Sequence, residues 1–170
     1  MHPYVLETDR LILRALSPDD AEAAFVWLSD PIVNRFMRYP LYTHVDQARV
    51  WLGKVSDSIF DFGFVRKCDG LLIGSGGICP SDSDGVWELG YNLRHDCWNQ
   101  GYATEAARAL LRYARETHGI HDFAAWHAAG NPASGRVMEK CGFVYDHDGQ
   151  DARFDGSEVF ETRHYTLHID

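Results

Sequence analysis

The pattern of hydrophobic and polar positions divides the chain into short strand-like and longer helix-like segments. Seven segments have the alternating or continuous apolar character of β-strands: 10–15, 60–67, 71–78, 86–93, 123–128, 143–147 and 159–168. Four others carry helix periodicity or helix caps: 17–29, 43–55, 103–114 and 131–141. Because helical and strand segments are interleaved, the pattern predicts one mixed α/β domain over residues 1–170.

Local signals predict where the first two of these helices begin. Ser17 is a typical N-cap residue, Pro18 suits the first helical position, and Asp20 is an acidic residue at the third. Thr43 is a second candidate cap, with Asp46 three residues further on. Both signals come before apolar residues at helical spacing, which favours a helix in each case.

The most informative segment lies between the predicted strand at 86–93 and the helix that follows it. Residues 98–107 read WNQGYATEAA, a turn of small residues that runs directly into a periodic helix. The first N–H groups of a helix lack intrahelical partners, and the helix dipole places partial positive charge there. Gly101 allows a ligand to approach the backbone closely, and Ala103 keeps the next turn small. The segment therefore predicts a binding site for a phosphate or pyrophosphate.

Composition and charge narrow the classes of partner. The chain is 45% hydrophobic and 13% aromatic over 170 residues, which is typical of a folded domain with a substantial core. Its net charge of −9 leaves no basic stripe for nucleic acid and disfavours anionic membrane surfaces. The same charge favours a cationic substrate such as an amine.

Membrane, disulfide and metal roles find no support in the sequence. No apolar run approaches the ~20 residues that a membrane span requires. The four cysteines, at positions 68, 79, 97 and 141, have no metal-ligand spacing, so we expect neither a metal site nor a disulfide framework. The first ten residues lack the basic and apolar regions of a secretory signal. We therefore expect a cytoplasmic protein with reduced thiols, as a monomer or homodimer.

Four motifs follow one another along nearly the whole chain. They are ETDRLILR at 7–14, ELGY at 88–91, the turn and helix at 98–107, and NPAS at 131–134 continuing to EKCGF at 139–143. Their order and spacing resemble the GNAT superfamily of N-acetyltransferases, and within it the RimJ/RimL-like branch of ribosomal-protein N-terminal acetyltransferases. The resemblance implies a single-domain α+β fold. Its mixed, mostly antiparallel sheet would have about six or seven strands, with splayed central strands and about four helices.

The resemblance also implies acetyl-CoA as co-substrate, held largely by backbone groups. Pyrophosphate oxygens would be bound by N–H groups from Gln100 to Thr104, and the pantetheine arm would pair with the strand near Tyr91. The cofactor-binding residues implied are Tyr91, Asn92, Leu93, Trp98, Asn99, Gln100, Gly101, Tyr102, Ala103, Thr104, Asn131 and Ser134. Many GNAT members carry Gln or Arg at the position of Trp98. The RimJ/RimL-like branch tolerates a tryptophan there, so Trp98 is in keeping with the resemblance.

Acetyl transfer to an amine requires removal of the ammonium proton and stabilisation of an oxyanion. The resemblance implies Glu88 as the base, directly or through a water, although an exposed residue or salt-bridge partner would look the same in sequence. Many members place a tyrosine acid where this chain has Met138. The RimJ/RimL-like branch implies Ser134 as proton donor instead, and a serine that satisfies first-turn N–H groups would look identical. Arg136 and Lys140 either approach the coenzyme phosphates or face solvent.

For the acceptor, the resemblance implies direct transfer within a ternary complex to a protein N-terminus or a small-molecule amine. The segments that would wall the acceptor cleft supply aromatic residues, one methionine and carboxylates. They are Trp27, Phe36, Met37, Tyr39, Tyr42, Asp146, Asp148, Asp151 and Asp155. Aromatic rings beside carboxylates suit a cation. An alternative is a catalytically inactive coenzyme A-binding sensor or interaction module of the same fold, which the missing tyrosine acid favours. A third interpretation keeps the enzyme and changes the donor to a longer acyl-CoA.

Overall fold

Short alternating segments joined by tight turns build one continuous sheet. The computed structural model describes residues 3–170. Within them the sheet has eight strands in the spatial order β1-β2-β3-β4-β5-β6-β8-β7. The strands are β1 Leu6–Glu7, β2 Leu11–Arg14, β3 Asp61–Arg66, β4 Leu72–Pro80, β5 Val86–Leu93, β6 Asp122–Ala128, β7 Val144–Ala152 and β8 Val159–His168.

Five α-helices lie between these strands in residues 3–170: α1 Ala21–Leu28, α2 Pro31–Asn34, α3 Val45–Val55, α4 Tyr102–His118 and α5 Pro132–Lys140. A 3₁₀ turn at Pro18–Asp20 precedes α1 and is capped as expected, since Asp19 N–H donates to Ser17 Oγ and Ser17 N–H donates to Asp20. None of the helices in residues 3–170 has both the length and the apolar character needed to cross a bilayer.

One pair of neighbouring strands separates along its length. Every neighbouring pair in the sheet is antiparallel except β5 and β6, which are parallel. These two pair only over Val86–Glu88, and the last pair is Glu88 with Ala124. Beyond that point β5 stays bonded to β4 as far as Leu93, and β6 stays bonded to β8 as far as Ala128. The sheet therefore opens into a wedge just after Glu88, as the resemblance implies.

Two hydrophobic clusters cover the two faces of the sheet. Neighbouring residues on β4 show the division: Ile73 belongs to the cluster with α4, and Leu72 belongs to the cluster with α1 and α3. This follows from the strand geometry, because successive side chains point to opposite faces. The predicted apolar stripe of α4 is confirmed, with Ala106, Leu110 and Ala114 all buried in the first cluster.

The fold class is confirmed, with a few differences in the elements. The very short β1 and α2 add one strand and one helix to the seven and four expected. β7 continues past residue 147 to Ala152, because β8 pairs with it as far as Val159. The N-cap residue of α3 is His44 rather than Thr43, because the helix begins at Val45. The N–H groups of Thr43 and His44 both donate to the side chain of Gln47, at 2.7 and 2.9 Å.

Candidate functional site

The wedge between β5 and β6 holds two adjoining cavities. The first cavity, of about 430 Å³, lies between the loop before α4 and the exposed face of α5. The second cavity, of about 310 Å³, lies over β4, β5 and β6 under the segment that follows α2. Met37, Tyr91, Asn92, Asn131 and Ser134 line both cavities. The two cavities are therefore halves of one cleft, with Tyr91 and Ser134 at their junction.

The loop before α4 turns sharply to direct the start of that helix into the first cavity. Asn99 and Gly101 both have positive φ, at 58° and 84°, and Gly101 is the N-cap residue of α4. The indole N–H of Trp98 donates to the carbonyl of Leu93 at 3.0 Å, which ties the loop back to the end of β5. The small residues of the turn are therefore needed for its backbone path.

A run of backbone amides in this loop is left without protein partners. The first helical hydrogen bond of α4 is donated by Glu105 N–H to the carbonyl of Gly101, at 3.0 Å. In the described residues, no hydrogen bond is donated by the amides of residues 99–104. Several free N–H groups at the positive end of a 17-residue helix are a suitable anion site. This geometry fits the predicted pyrophosphate site, and its ligand stays a prediction.

Eleven of the twelve residues predicted to bind the cofactor line the first cavity: Tyr91, Asn92, Leu93, Trp98, Asn99, Gly101, Tyr102, Ala103, Thr104, Asn131 and Ser134. Gln100 is the exception. Its side-chain amide donates to the carbonyl of Asp96 at 3.0 Å, and its own carbonyl accepts from Arg10 at 2.8 Å. The backbone amide of Gln100 donates to no group in the described residues, so it remains available to a ligand.

A hydrogen-bond network between the first motif and α4 braces this loop, and sequence reasoning missed it. Glu105, in the first turn of α4, accepts hydrogen bonds from the hydroxyl of Thr8 and from the backbone and guanidinium of Arg10, at 2.6–2.7 Å. The Arg10 guanidinium also lies 4.3 Å from the ring centroid of Tyr102. Burial alone raises the pKa of Glu105, but these hydrogen bonds outweigh it and the net effect lowers the pKa. Thr8 and Arg10 of the first motif, which lie between β1 and β2, therefore hold the start of α4 in place.

Helix α5 forms the opposite wall of the first cavity. Arg136 and Lys140 both line it, so their side chains border the cavity as well as solvent. The hydroxyl of Tyr91 lies 3.0 Å from the carbonyl of Ser134 and 3.1 Å from its hydroxyl. A carbonyl can only accept, so Tyr91 donates to it, and the Ser134 hydroxyl is left to donate to Tyr91 or into the cleft. Burial raises the pKa of Tyr91 well above its ordinary value, so the phenol keeps its proton.

Glu88 stands at the point where the wedge opens. It lines the second cavity, and one of its carboxylate oxygens accepts a hydrogen bond from the indole of Trp126 at 3.0 Å. Within residues 3–170 it forms no ion pair, and its other oxygen has no hydrogen bond. Asp61 contributes a second carboxylate to this cavity, and among the residues that the structure describes no lysine or arginine lines it. The second cavity is therefore suited to a cation.

A chain of hydrogen bonds crosses the floor of the second cavity. Ser75 on β4 donates to the side-chain oxygen of Asn92, at 3.1 Å, and the amide of Asn92 donates to the hydroxyl of Tyr39, also at 3.1 Å. Burial raises the pKa of the Tyr39 phenol, and the Asn92 bond offsets only part of that effect. The segment after α2 is thus joined to β5 beside the junction of the cavities.

The residues expected around the acceptor cleft divide into two groups. Phe36, Met37 and Tyr39 line the second cavity as expected. The others do not line it. Trp27 is a fully buried residue of α1, Tyr42 packs on the α1–α3 cluster, Asp151 is paired with Arg38, and Asp146, Asp148 and Asp155 are exposed on β7 or its loop. The expectation was wrong for these residues, because the carboxylates at the cavity come from β3 and β5 instead. Met138 is buried, and so is His127, which packs between β6 and α5.

Comparison with known proteins agrees with this geometry. The family model "Acetyltransferase (GNAT) domain" matches residues 10–144. The chain is 32% identical over 114 residues to "Uncharacterized N-acetyltransferase p20" of Bacillus licheniformis, which covers 64% of this chain and 64% of that protein.

Solved structures share the whole fold. A GNAT-family acetyltransferase from Bacillus anthracis superposes with a TM-score of 0.88 at 24% identity, covering 97% of this chain and 98% of that one. The Microcin C7 self-immunity acetyltransferase MccE, solved in complex with acetyl-CoA and AMP, gives 0.81 at 16% identity over 95% and 94% of the two chains. Since the family model spans most of the sequence, from β2 to the start of β7, the chain belongs to the GNAT family of N-acetyltransferases.

Proposed function

We propose that this enzyme transfers an acetyl group from acetyl-CoA directly to a primary amine, with both substrates bound in the wedge. The observation that carries the proposal is the continuity of two unlike cavities. One is lined by free backbone amides, the other by carboxylates, and they meet at Tyr91 and Ser134. A donor anchored by its phosphates and a cationic acceptor match these two halves. The resemblance to MccE supports acetyl-CoA as the donor.

The residues of the first cavity fit acetyl-CoA. The amides of residues 99–104 can donate to pyrophosphate oxygens, and a β-carbon at Gly101 would lie 3.1 Å from the Arg10 guanidinium, so a side chain at this position would crowd the arginine that braces the loop. Arg136 and Lys140 add positive charge on the opposite wall. When bound, acetyl-CoA supplies the acetyl thioester. The chain's part is to hold it and to keep the backbone of β5 free beyond Glu88.

Glu88 is the proposed general base. Its free carboxylate oxygen faces the cavity, while Trp126 fixes the other one, so the side chain is oriented as well as available. Tyr91 lies three residues along the strand, about 10 Å away at the usual strand rise. Glu88 therefore takes the ammonium proton through a water rather than by direct contact at the junction.

Ser134 is the proposed proton donor to the departing thiolate. Its hydroxyl proton is free to turn into the cleft, because Tyr91 already donates to the Ser134 carbonyl. Tyr91 acts as a positioning residue, since its own raised pKa keeps it protonated. A thiol has an ordinary pKa of about 8.5, so the assistance required from Ser134 is modest. Beyond Glu88, β5 is no longer paired with β6. The N–H groups near Tyr91 on that edge of β5 would stabilise the oxyanion.

The proposed acceptor is a small primary amine or a peptide N-terminus. Asp61 and Glu88 provide negative charge, and Phe36, Tyr39 and Trp126 provide aromatic surface around them. We propose further that the enzyme acts in the cytoplasm as a monomer or homodimer, in keeping with its four unpaired cysteines.

Titration calorimetry with acetyl-CoA, combined with a thiol-release assay over a panel of small amines and short peptides, tests this function. We expect binding of acetyl-CoA, and thiol release that depends on an added amine. Binding without release for any acceptor would identify the inactive coenzyme A-binding module, which the absence of a tyrosine at Met138 favours. Absence of binding would reject both functions.

A further inference from the structure

The segment between α2 and α3 forms one wall of the second cavity without regular structure of its own. Phe36, Met37 and Tyr39 all lie in it, and all three line that cavity. Within the segment, the backbone contributes only a turn in which Met37 N–H donates to the carbonyl of Asn34, at 3.0 Å. An irregular segment of this kind needs external contacts to keep a fixed position.

The largest set of those contacts comes from one guanidinium more than a hundred residues later in the chain. Tyr42 N–H also donates to the carbonyl of Leu28, and Arg35 and Arg38 pair with Glu158 and Asp151. Arg153, in the loop between β7 and β8, donates from Nη1 to the side-chain oxygen of Asn34 at 3.1 Å and to the carbonyls of Met37 and Tyr39 at 3.0 and 3.4 Å. Its Nη2 donates to the carbonyls of Asn34 and Arg35 at 3.4 and 3.1 Å. One side chain therefore makes five hydrogen bonds to the first part of the segment, across residues 34–39, and acts as its clamp.

Arg153 is itself held in place. Its Nε donates to Glu158 at 3.3 Å, its guanidinium lies 5.4 Å from the ring centroid of Phe160, and its side chain is only 14% exposed. The loop adds a backbone bond, in which Phe154 N–H donates to the carbonyl of Arg38 at 2.9 Å. The guanidinium is thus preorganised, and its planar fork suits several fixed carbonyl acceptors better than an ammonium would.

Among the residues that Arg153 holds, Met37 lines both cavities and Tyr39 lines the second alone. None of the five acceptors of Arg153 belongs to the loop before α4 or to α5. The wall that it holds is joined to β5 through Tyr39, whose hydroxyl accepts a hydrogen bond from Asn92. The loop before α4 is therefore supported by Arg10 and Glu105, and the wall formed by residues 34–39 is supported by Arg153, with Met37 the point at which that wall also borders the first cavity.

We propose that Arg153 is a positioning residue of the acceptor site, which sets the wall formed by residues 34–39 and so the enzyme's affinity for its amine. The proposal rests on the function proposed above for the second cavity. Arg153 touches neither substrate, and it acts through the backbone carbonyls that it holds. Misplacing a substrate-binding wall by about 1 Å is enough to change rates by up to two orders of magnitude.

The test compares Arg153→Lys with Arg163→Lys, an exposed arginine on β8 whose side chain is 57% exposed. For Arg153→Lys we expect the KM for the amine to rise about tenfold, with kcat and the acetyl-CoA Kd little changed, because lysine reaches fewer acceptors. Arg163→Lys should match the wild type. An unchanged amine KM, or a rise in acetyl-CoA Kd together with amine KM, would overturn the proposal.

Hydrogen–deuterium exchange on the full chain tests the clamp without any acceptor. We expect amides of residues 34–42 to exchange faster in Arg153→Lys, while those at the start of α4 keep wild-type rates. Equal exchange of residues 34–42 in both proteins would reject the clamp even if the enzyme is active. Faster exchange in a protein that acetylates no amine would instead uphold the clamp and reject the proposed function. Glu158→Gln, which weakens both the support of Arg153 and the direct contact of Glu158 with Arg35, should show the same pattern to a smaller degree.

Discussion

The two halves of the cleft are built in different ways. The first cavity is formed mainly by two nearly continuous segments, 91–104 and 131–140, and its ligand-facing groups are largely backbone amides. The second cavity takes its walls from five parts of the chain, and its chemistry comes from side chains such as Glu88, Asp61 and Tyr39. The proposed pyrophosphate is the same in every coenzyme A donor and can be bound by main-chain donors. A particular amine, in contrast, must be recognised by side chains.

This difference separates affinity for the donor from selectivity for the acceptor. Side-chain changes in the loop before α4 alter binding only if they change the backbone path, so the critical position is Gly101. In the second cavity, we expect a change at a single carboxylate, or at a single clamp residue such as Arg153, to alter recognition of the proposed acceptor. Substitutions chosen in each half should therefore have effects of different kinds.

The largest effect is expected from removing the base in the second cavity. Glu88→Gln preserves the hydrogen bond from Trp126 but cannot take a proton, so kcat should fall about 100-fold or more, with the acetyl-CoA Kd unchanged. Steady-state kinetics and titration calorimetry check the two quantities. Glu116→Gln, at an exposed position on α4, is the control and should behave as wild type. A normal rate for Glu88→Gln at neutral pH would remove this residue from the mechanism.

A smaller effect, and one on the other half, is expected at Gly101. Gly101→Val places a branched side chain at φ 84° and close to the Arg10 guanidinium, so the loop must shift and the acetyl-CoA Kd should rise about tenfold. Gly119→Val is the matched control, since Gly119 also has positive φ but lies at the other end of α4 with open space around it. It should lose stability without losing acetyl-CoA affinity. Equal affinities for the two folded variants would contradict the backbone cradle.

The smallest effect concerns the brace of the first cavity. Because the pKa of Glu105 is lowered in the folded protein, its contribution to stability is fully present above its unfolded value near 4.5 and is lost as pH falls through the lower folded value. Glu105→Gln should therefore lower the free energy of unfolding by about 1 kcal/mol at neutral pH, and the difference from wild type should shrink in acid. Urea unfolding at several pH values measures this. A difference that is constant down to pH 3 would reject the role of the charge.

Much of the first cavity was predictable because its residues are neighbours in sequence. The turn WNQGYATEAA predicted free amides at a helix start, and the structure leaves those amides without partners. Glu105 was not predicted as a brace, because its partners Thr8 and Arg10 lie nearly a hundred residues away. The acidic residues of the last loop were wrongly expected at the acceptor cleft, since an exposed carboxylate and a cavity carboxylate look the same in sequence.

The sequence by itself determined the secondary elements, the fold class and the turn that offers its amides, because periodicity, caps and glycines act over a few residues. Only the tertiary structure decided which carboxylates reach the second cavity, that Tyr91 contacts Ser134, and that Arg153 holds residues 34–39. These contacts join strands and loops that are distant along the chain. They depend on where the sheet opens after Glu88, and no local pattern carries that information.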